Sequence, residues 1–302
     1  MPRIAFLFAG QGAQYVGMGK TLLEQSAAAR DLFARASEIL GYDLASICLE
    51  GPAETLNRTD VSQPAIFVAS LAALEHFRSE HAQVVAECQA AAGLSLGEYT
   101  ALTFAGVMDF EDGVRLVQRR GQAMQSASEA TPSGMVSILG METAAVEQLC
   151  QRARAAGRIW IANYLAPGNI VVSGDKAACD RIEQLVNEAG LGKTVRLSVA
   201  GAFHTEIMRP ADEHLAAALR DVQLRPARIP VYSNVDAQPH TQPEEIRTLL
   251  VRQLLQPVRW EETMRRLLAE GFDQFYEFGP GRVLAGLLKR IHRHANCVHV
   301  PA

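Results

Sequence analysis

Gly93-Leu94-Ser95-Leu96-Gly97 sets a serine between two glycines where an apolar run, Val84 to Ala92, gives way to a helical stretch, Glu98 to Ala105. A strand that turns at once into a helix must bend sharply. Small residues make room for the bend, and the bend lifts the serine hydroxyl above the sheet. The helix start behind it offers unpaired N–H groups and a partial positive charge where an oxyanion would develop. The chemistry this suits is attack of a serine oxygen on an acyl carbon, and such a serine needs a base. Among eight histidines, His204 in Gly201-Ala202-Phe203-His204-Thr205 is the candidate. It lies between a strand expected over Thr194 to Ser198 and a helical stretch from Glu206 to Leu219, at a strand end where catalytic loops gather. His292 and His294 fall in a basic tail, His76 and His81 flank a helix end, and His214, His240 and His299 have no partner in sequence.

A third residue stands out on a helix expected from Phe110 to Ala127. Phe110, Val114, Val117, Gly121 and Met124 recur at spacings of three and four and form one apolar face. Arg120 lies at the edge of that face, whereas Arg115 and Arg119 point away. A guanidinium beside a buried face calls for an acidic partner, and its planar fork suits a carboxylate. That partner is either an acid of the same chain or an acidic substrate. Ala9-Gly10-Gln11-Gly12-Ala13-Gln14 follows the first apolar run, but it lacks the third glycine and the downstream acid of a dinucleotide fingerprint.

The elements that must position these residues alternate between strand and helix patterns, which favours an α/β architecture with a mainly parallel sheet. Ile4 to Phe8 reads as a buried first strand and Ala65 to Phe77 as a buried helix. Near the end come Ile229 to Tyr232, a helix opening at Pro243, a helix after Trp260, Gln274 to Phe278, Val283 to Ile291 and Cys297 to Val300. The middle differs. Met135 to Leu139, Thr143 to Ala156, Arg158 to Tyr164, Ile170 to Ser173, Lys176 to Ala189 and Thr194 to Ser198 give strand, helix, strand, strand, helix, strand, the order of a ferredoxin-like unit. Residues 128–198 are therefore expected to form a small domain inserted into a larger discontinuous one, residues 1–127 and 199–302. A length of 302 residues is consistent with about two domains at roughly 150 residues each.

Composition excludes several classes. With 29 basic and 33 acidic side chains the net charge is -4, so no basic field draws nucleic acid. No apolar run approaches the roughly 20 residues of a membrane span, and the short run after Arg3 is no secretory leader. Five scattered cysteines without a C-x-x-C pair suggest neither a disulfide framework nor a zinc site, and a reducing, cytoplasmic compartment.

Gly10-Gln11-Gly12-Ala13-Gln14, Gly93-Leu94-Ser95-Leu96-Gly97-Glu98-Tyr99, Arg119-Arg120-Gly121, Gly201-Ala202-Phe203-His204, Ser233-Asn234-Val235, Val251-Arg252-Gln253-Leu254 and Glu277-Phe278-Gly279-Pro280-Gly281 stand in the order and spacing of one family. Over essentially its whole length the chain resembles the malonyl-CoA:acyl carrier protein transacylases of fatty acid and polyketide synthesis. The resemblance implies an α/β-hydrolase-like large domain with the ferredoxin-like insertion. It makes Ser95 the nucleophile and His204 its base, oriented by the backbone carbonyl of Gln253, with the oxyanion hole on the N–H groups of Gln11 and Leu96. Arg120 would pair with the free carboxylate of malonyl, Phe203 would restrict the α-carbon to malonyl, and Met124 would pack the pocket wall. Malonyl-CoA and acyl carrier protein are the implied partners, with no metal or other cofactor, no nucleic acid and no membrane, and a monomer as the expected state. Where the family has histidine before the serine, this chain has Leu94.

Arg282, Lys289, Arg290 and Arg293 form a terminal stretch with no acid, suited either to a helix dipole or to phosphates and an acidic carrier. Two other functions would use the same features. An acyl hydrolase would share Ser95 and His204 and release free acid, though hydrolases of this type tend to lack the arginine. A scaffold that only binds carrier protein would not need the intact pair.

Overall fold

The computed structural model describes residues 2–302, arranged around two sheets. The larger has the order Asn296–Pro301, Gln274–Gly279, Ile4–Phe8, Cys88–Gly93, Val231–Tyr232, Pro239–His240, parallel throughout except for the last pair. Ile4–Phe8 is five apolar residues, all buried, as a central strand covered on both faces requires. Its register sets Phe8 opposite both Phe278 and Gly93. The loops that begin at Ala9, Leu94 and Pro280 therefore leave the sheet at one level. They open on its carboxyl edge, where parallel sheets hold their ligands.

The helix Thr59–Glu80 is buried along most of its length and crosses the helix Phe110–Ala130 at close range. Gly121 makes the crossing possible, because a Cβ there would lie 2.7 Å from the carbonyl oxygen of Thr59. That contact brings Arg120 over the residues around Gln63.

The second sheet has the order Lys193–Arg196, Ser133–Leu139, Asn169–Asp175, Ile159–Ala166, Val258–Arg259. Its first four strands pair antiparallel, and the fifth, from far along the chain, joins in parallel. Val136, Ile138 and Val172 from the strands pack with Val146 and Leu149 of Thr143–Ala153 and with Ile182 and Leu185 of Lys176–Ala189.

Several boundaries differ from expectation. Val84 and Val85 belong to a short helix, Ala82–Ala86, and the strand starts only at Cys88, opposite Ile4, the first residue of its neighbour. The buried helix begins at Thr59 rather than Ala65 and runs through Pro64. The stretch after His204 is broken by Pro210, which has no N–H to donate, into a turn, Glu206–Met208, and a helix, Ala211–Arg220. The strand before His204 ends at Arg196, so seven irregular residues intervene and His204 is not at a strand end. Lys193–Arg196 is a largely exposed edge strand, and such strands stay short. Among the described residues no helix is long and apolar enough to cross a membrane.

Candidate active site

Ser95 sits between the strand Cys88–Gly93 and the helix Leu96–Phe104 with φ 51° and ψ -97°. The flanking glycines are needed for space rather than for unusual torsions. A Cβ on Gly93 would lie 1.9 Å from the carbonyl carbon of Gly97, and one on Gly97 would lie 2.1 Å from the oxygen of Phe8. Gly10 closes against the same turn, its Cβ position 2.3 Å from the oxygen of Leu94. Strand and helix are thus packed nearly backbone to backbone, and the serine itself takes the strained conformation. His204, with φ 62°, is strained as well. Such residues cost about 1–3 kcal/mol each and persist only where their surroundings fix them. For Ser95 that surrounding is Asn234, whose Oδ1 accepts the Ser95 N–H at 2.6 Å and whose Nδ2 donates to the carbonyl of Gly93 at 2.8 Å.

Ser95 Oγ lies 2.9 Å from Nε2 of His204, and Nδ1 of His204 lies 2.7 Å from the backbone carbonyl of Gln253. A carbonyl only accepts, so Nδ1 carries the proton and Nε2 is left to accept from the serine. The imidazole is 4% exposed. Burial first, and the charge of Arg120 second, push its pKa down to about 4, which keeps it neutral near neutral pH, with Nε2 free to accept a proton. A serine, a neutral imidazole and a fixed orienting carbonyl can together deprotonate an alcohol as it attacks.

Arg120 is 1% exposed. Nη1 donates to Oε1 of Gln63 at 2.7 Å, and Nη2 donates to Oε1 of Gln253 at 2.9 Å and to Ser95 Oγ at 3.1 Å. Its Nε–H has no partner, and its Cζ stands 5.1 Å from the centre of the Tyr99 ring. Among the described residues the guanidinium is held by neutral acceptors and forms no ion pair with a carboxylate. Arg115 and Arg119, on the other side of the helix, pair with Asp112 and Asp221 at the surface. A buried cation beside the nucleophile with no counter-ion is an electrostatic receptor for an acidic group.

A cavity of about 390 Å³ opens over Ser95, lined by Gln11, Leu94, Asn163, Leu165, Phe203 and His204 among others. Ser133–Leu139 and the segment after Arg196 supply much of its apolar wall through Met135, Leu197 and Val199. Leu96 starts the helix, and among the described residues the backbone N–H groups of Gln11 and Leu96 have no acceptor. Met124 is buried behind Arg120, where its Sδ lies 3.3 Å from Nε2 of Gln63, and it does not line the open cavity. Arg282 flanks Val283 at the rim and is exposed, as are Lys289, Arg290 and Arg293.

Ser95, His204, Gln253, Gln11, Leu96, Arg120 and Phe203 meet at this edge of the sheet, with Met124 behind Arg120. The reading missed the amides and the acid that hold them. Gln63 bridges Arg120 to Gln11, Gln253 works through its side chain as well as its carbonyl, and Glu98 lies buried against both Gln253 and Asn234. Gln63 lies ahead of the helix expected from Ala65, and nothing in the sequence marked it. No cluster of three metal-ligating side chains occurs among the described residues.

Residues 5–301 match the family model described as acyl transferase domain. The human mitochondrial malonyl-CoA-acyl carrier protein transacylase is 44% identical over 301 residues, 96% of this chain and 77% of the relative. The Escherichia coli K12 malonyl CoA-acyl carrier protein transacylase is 39% identical over 291 residues, 96% of this chain and 93% of the relative. The crystal structure of the malonyl-CoA:acyl carrier protein transacylase of Xanthomonas oryzae pv. oryzae superposes with TM-score 0.95 at 40% identity, covering 100% of this chain and 95% of that one. A complex of a type II polyketide synthase acyl-carrier protein with its malonyl-transacylase gives 0.94 at 36% identity, with 99% and 96% covered.

Proposed function

The chain belongs to the acyl transferase family, and from that premise we propose that it carries a malonyl group from malonyl-CoA to the phosphopantetheine thiol of acyl carrier protein by way of a malonyl-serine. The observation that carries this reading is the meeting of two features at one oxygen. Ser95 Oγ is 2.9 Å from a neutral imidazole and 3.1 Å from a buried guanidinium that lacks a carboxylate.

In the first half-reaction Ser95 gives its proton to Nε2 of His204 as Oγ bonds to the thioester carbon. The charge that develops on the carbonyl oxygen is taken by the N–H groups of Gln11 and Leu96. Collapse expels coenzyme A, whose sulfur takes the proton back from His204. In the second half the carrier thiol gives its proton to His204 and attacks the ester, and Ser95 leaves as the alcohol by taking that proton back from His204. The Gln253 carbonyl holds the imidazole in the required tautomer throughout. Arg120 exchanges its bond to Ser95 Oγ for the malonyl carboxylate, which fixes the acyl group and favours an acid over acetyl. Phe203, beside the base, limits bulk at the α-carbon. Leu94 gives the thioester an apolar neighbour where the family has histidine. Met124 serves as packing beneath Arg120.

The coenzyme A thioester is a substrate, and serine–histidine chemistry of this kind uses no metal or resident cofactor. The exposed cations Arg282, Lys289, Arg290 and Arg293 offer charge complementary to phosphates and to an acidic carrier. We read residues 1–127 and 199–302 as the α/β-hydrolase-like catalytic domain and 128–198 as an inserted ferredoxin-like one. The strand order and antiparallel pairing of the second sheet's first four strands support this. The same reading has the enzyme act as a cytoplasmic monomer.

The test is sequential. Protein loaded with radiolabelled malonyl-CoA and freed of nucleotide is mixed with holo carrier protein. Label passing to the carrier in the absence of coenzyme A supports the two-step scheme. Label released as free malonate, with none on the carrier, would make the chain a hydrolase.

A further inference from the structure

The reaction scheme leaves one buried acid unused. Glu98 is 3% exposed, and its Oε2 accepts from Nε2 of Gln253 at 2.7 Å and from the backbone N–H of Asn234 at 3.0 Å. Nε2 of Gln253 also donates to the carbonyl of Ser95, at 3.1 Å. The other end of the same amide, Oε1, receives Nη2 of Arg120 at 2.9 Å.

An amide has one donating end and one accepting end, and a guanidinium has no acceptor at all. Arg120 can therefore be held by Gln253 only while the carbonyl end faces it. The two acceptors behind, Glu98 and the Ser95 carbonyl, claim the donating end and lock the amide that way round. Turning it over would set N–H groups against the guanidinium and oxygen against oxygen at a fully buried residue. The choice of a neutral link also matters. A carboxylate placed directly on Arg120 would orient it equally well but would occupy the charge that the substrate needs. With glutamines at both Nη1 and Nη2, and the acid one amide away, the guanidinium is aimed without being neutralised.

We propose that Glu98 is a positioning residue for acyl selectivity: through the Gln253 amide it aims Arg120 at the acyl site and keeps its charge free for an acidic substituent. The inference rests on the reading that Arg120 receives the malonyl carboxylate.

The experiment compares kcat/KM for loading by malonyl-CoA and by acetyl-CoA in the wild type, Glu98→Gln, Glu98→Leu and Gln253→Met, each checked for a cooperative melt. Glutamine at 98 keeps a carbonyl acceptor for both donors, so Glu98→Gln is expected to hold the malonyl-to-acetyl ratio within about threefold of wild type. Glu98→Leu leaves only the Ser95 carbonyl to hold the donating end and is expected to lower that ratio by about tenfold or more, mostly through KM for malonyl-CoA. General damage to the fold would lower both substrates together and leave the ratio alone. An unchanged ratio in Glu98→Leu, or equal losses in the Gln and Leu variants, overturns the proposal. If Glu98→Leu does not fold, Gln253→Met decides, since it removes the amide and keeps the main-chain carbonyl under His204; retention of malonyl preference there overturns the proposal as well. A wild type that takes up no malonyl would instead sink the transferase reading.

Discussion

Asn234 accepts the backbone N–H of Ser95 on its side-chain oxygen at 2.6 Å, a bond that holds the nucleophile in a conformation it would not adopt alone. Through its Nδ2 the same side chain ties down Gly93 on the other flank of the turn. Asn234→Ala leaves a donor and an acceptor unpaired in the interior, and the expected loss is about 1–3 kcal/mol of unfolding free energy in urea together with slower acylation. Asn234→Asp keeps the acceptor but sets a second oxygen against the Gly93 carbonyl in a fully buried site, so its loss is expected to be at least as large as alanine's. Wild-type stability and rate in the alanine variant would mean that the turn holds itself.

Removing the guanidinium separates acidic from neutral acyl groups. Arg120→Ala is expected to slow single-turnover loading from malonyl-CoA by about 100-fold or more, as for loss of one side of a desolvated charge pair, while loading from acetyl-CoA is spared. Arg120→Lys should restore only part of the difference, because a point charge lacks the planar fork. Equal losses with both substrates would reassign Arg120 to a structural role.

The pH profile follows from the buried base. His204 is neutral above about pH 4, so kcat/KM for malonyl-CoA should climb as pH passes that value and be level by neutrality. Stability carries the same sign. Between the unfolded value near 6.5 and the folded one, the unfolded chain binds a proton that the folded chain refuses. The contribution is therefore complete above pH 6.5 and is lost as pH falls toward 4. An activity limb centred near 6.5 would mean that the imidazole is solvated.

Glu98 acts in the opposite direction. Burial raises its carboxyl from 4.5 to about 7, so the folded chain holds a proton that the unfolded chain has released, and stability is lost as pH rises through this range. Glu98→Gln does not titrate. Its unfolding free energy relative to wild type should shift in favour of the variant between pH 5 and pH 8, readable by denaturant melts at each pH. A difference independent of pH would show that the folded carboxyl titrates at its ordinary value.

Much of the site was legible because its residues are tied to backbone events that leave a mark in sequence. The glycines around Ser95 are required by the approach of Phe8 and Gly97, so the turn announces itself. The apolar spacing of Phe110–Ala130 likewise put Arg120 at the edge of a buried face. The roles of Gln63, Asn234, Glu98 and the Gln253 side chain were not legible, because an amide's hydrogen bonds depend on which distant elements meet. Gln253 and Glu98 lie 155 positions apart and touch only once the sheet edge is assembled. The boundary errors have similar causes. Val84 and Val85 favour a strand locally, but the first strand ends the pairing at Ile4.

The central claim, that Ser95 carries the malonyl group, is tested most directly by intact-protein mass spectrometry after brief incubation with malonyl-CoA, followed by peptide mapping. The account predicts a mass gain of one malonyl group on the peptide bearing Ser95, absent in Ser95→Ala and discharged by holo carrier protein. A wild-type mass that does not change, or a gain that persists in Ser95→Ala, would contradict it.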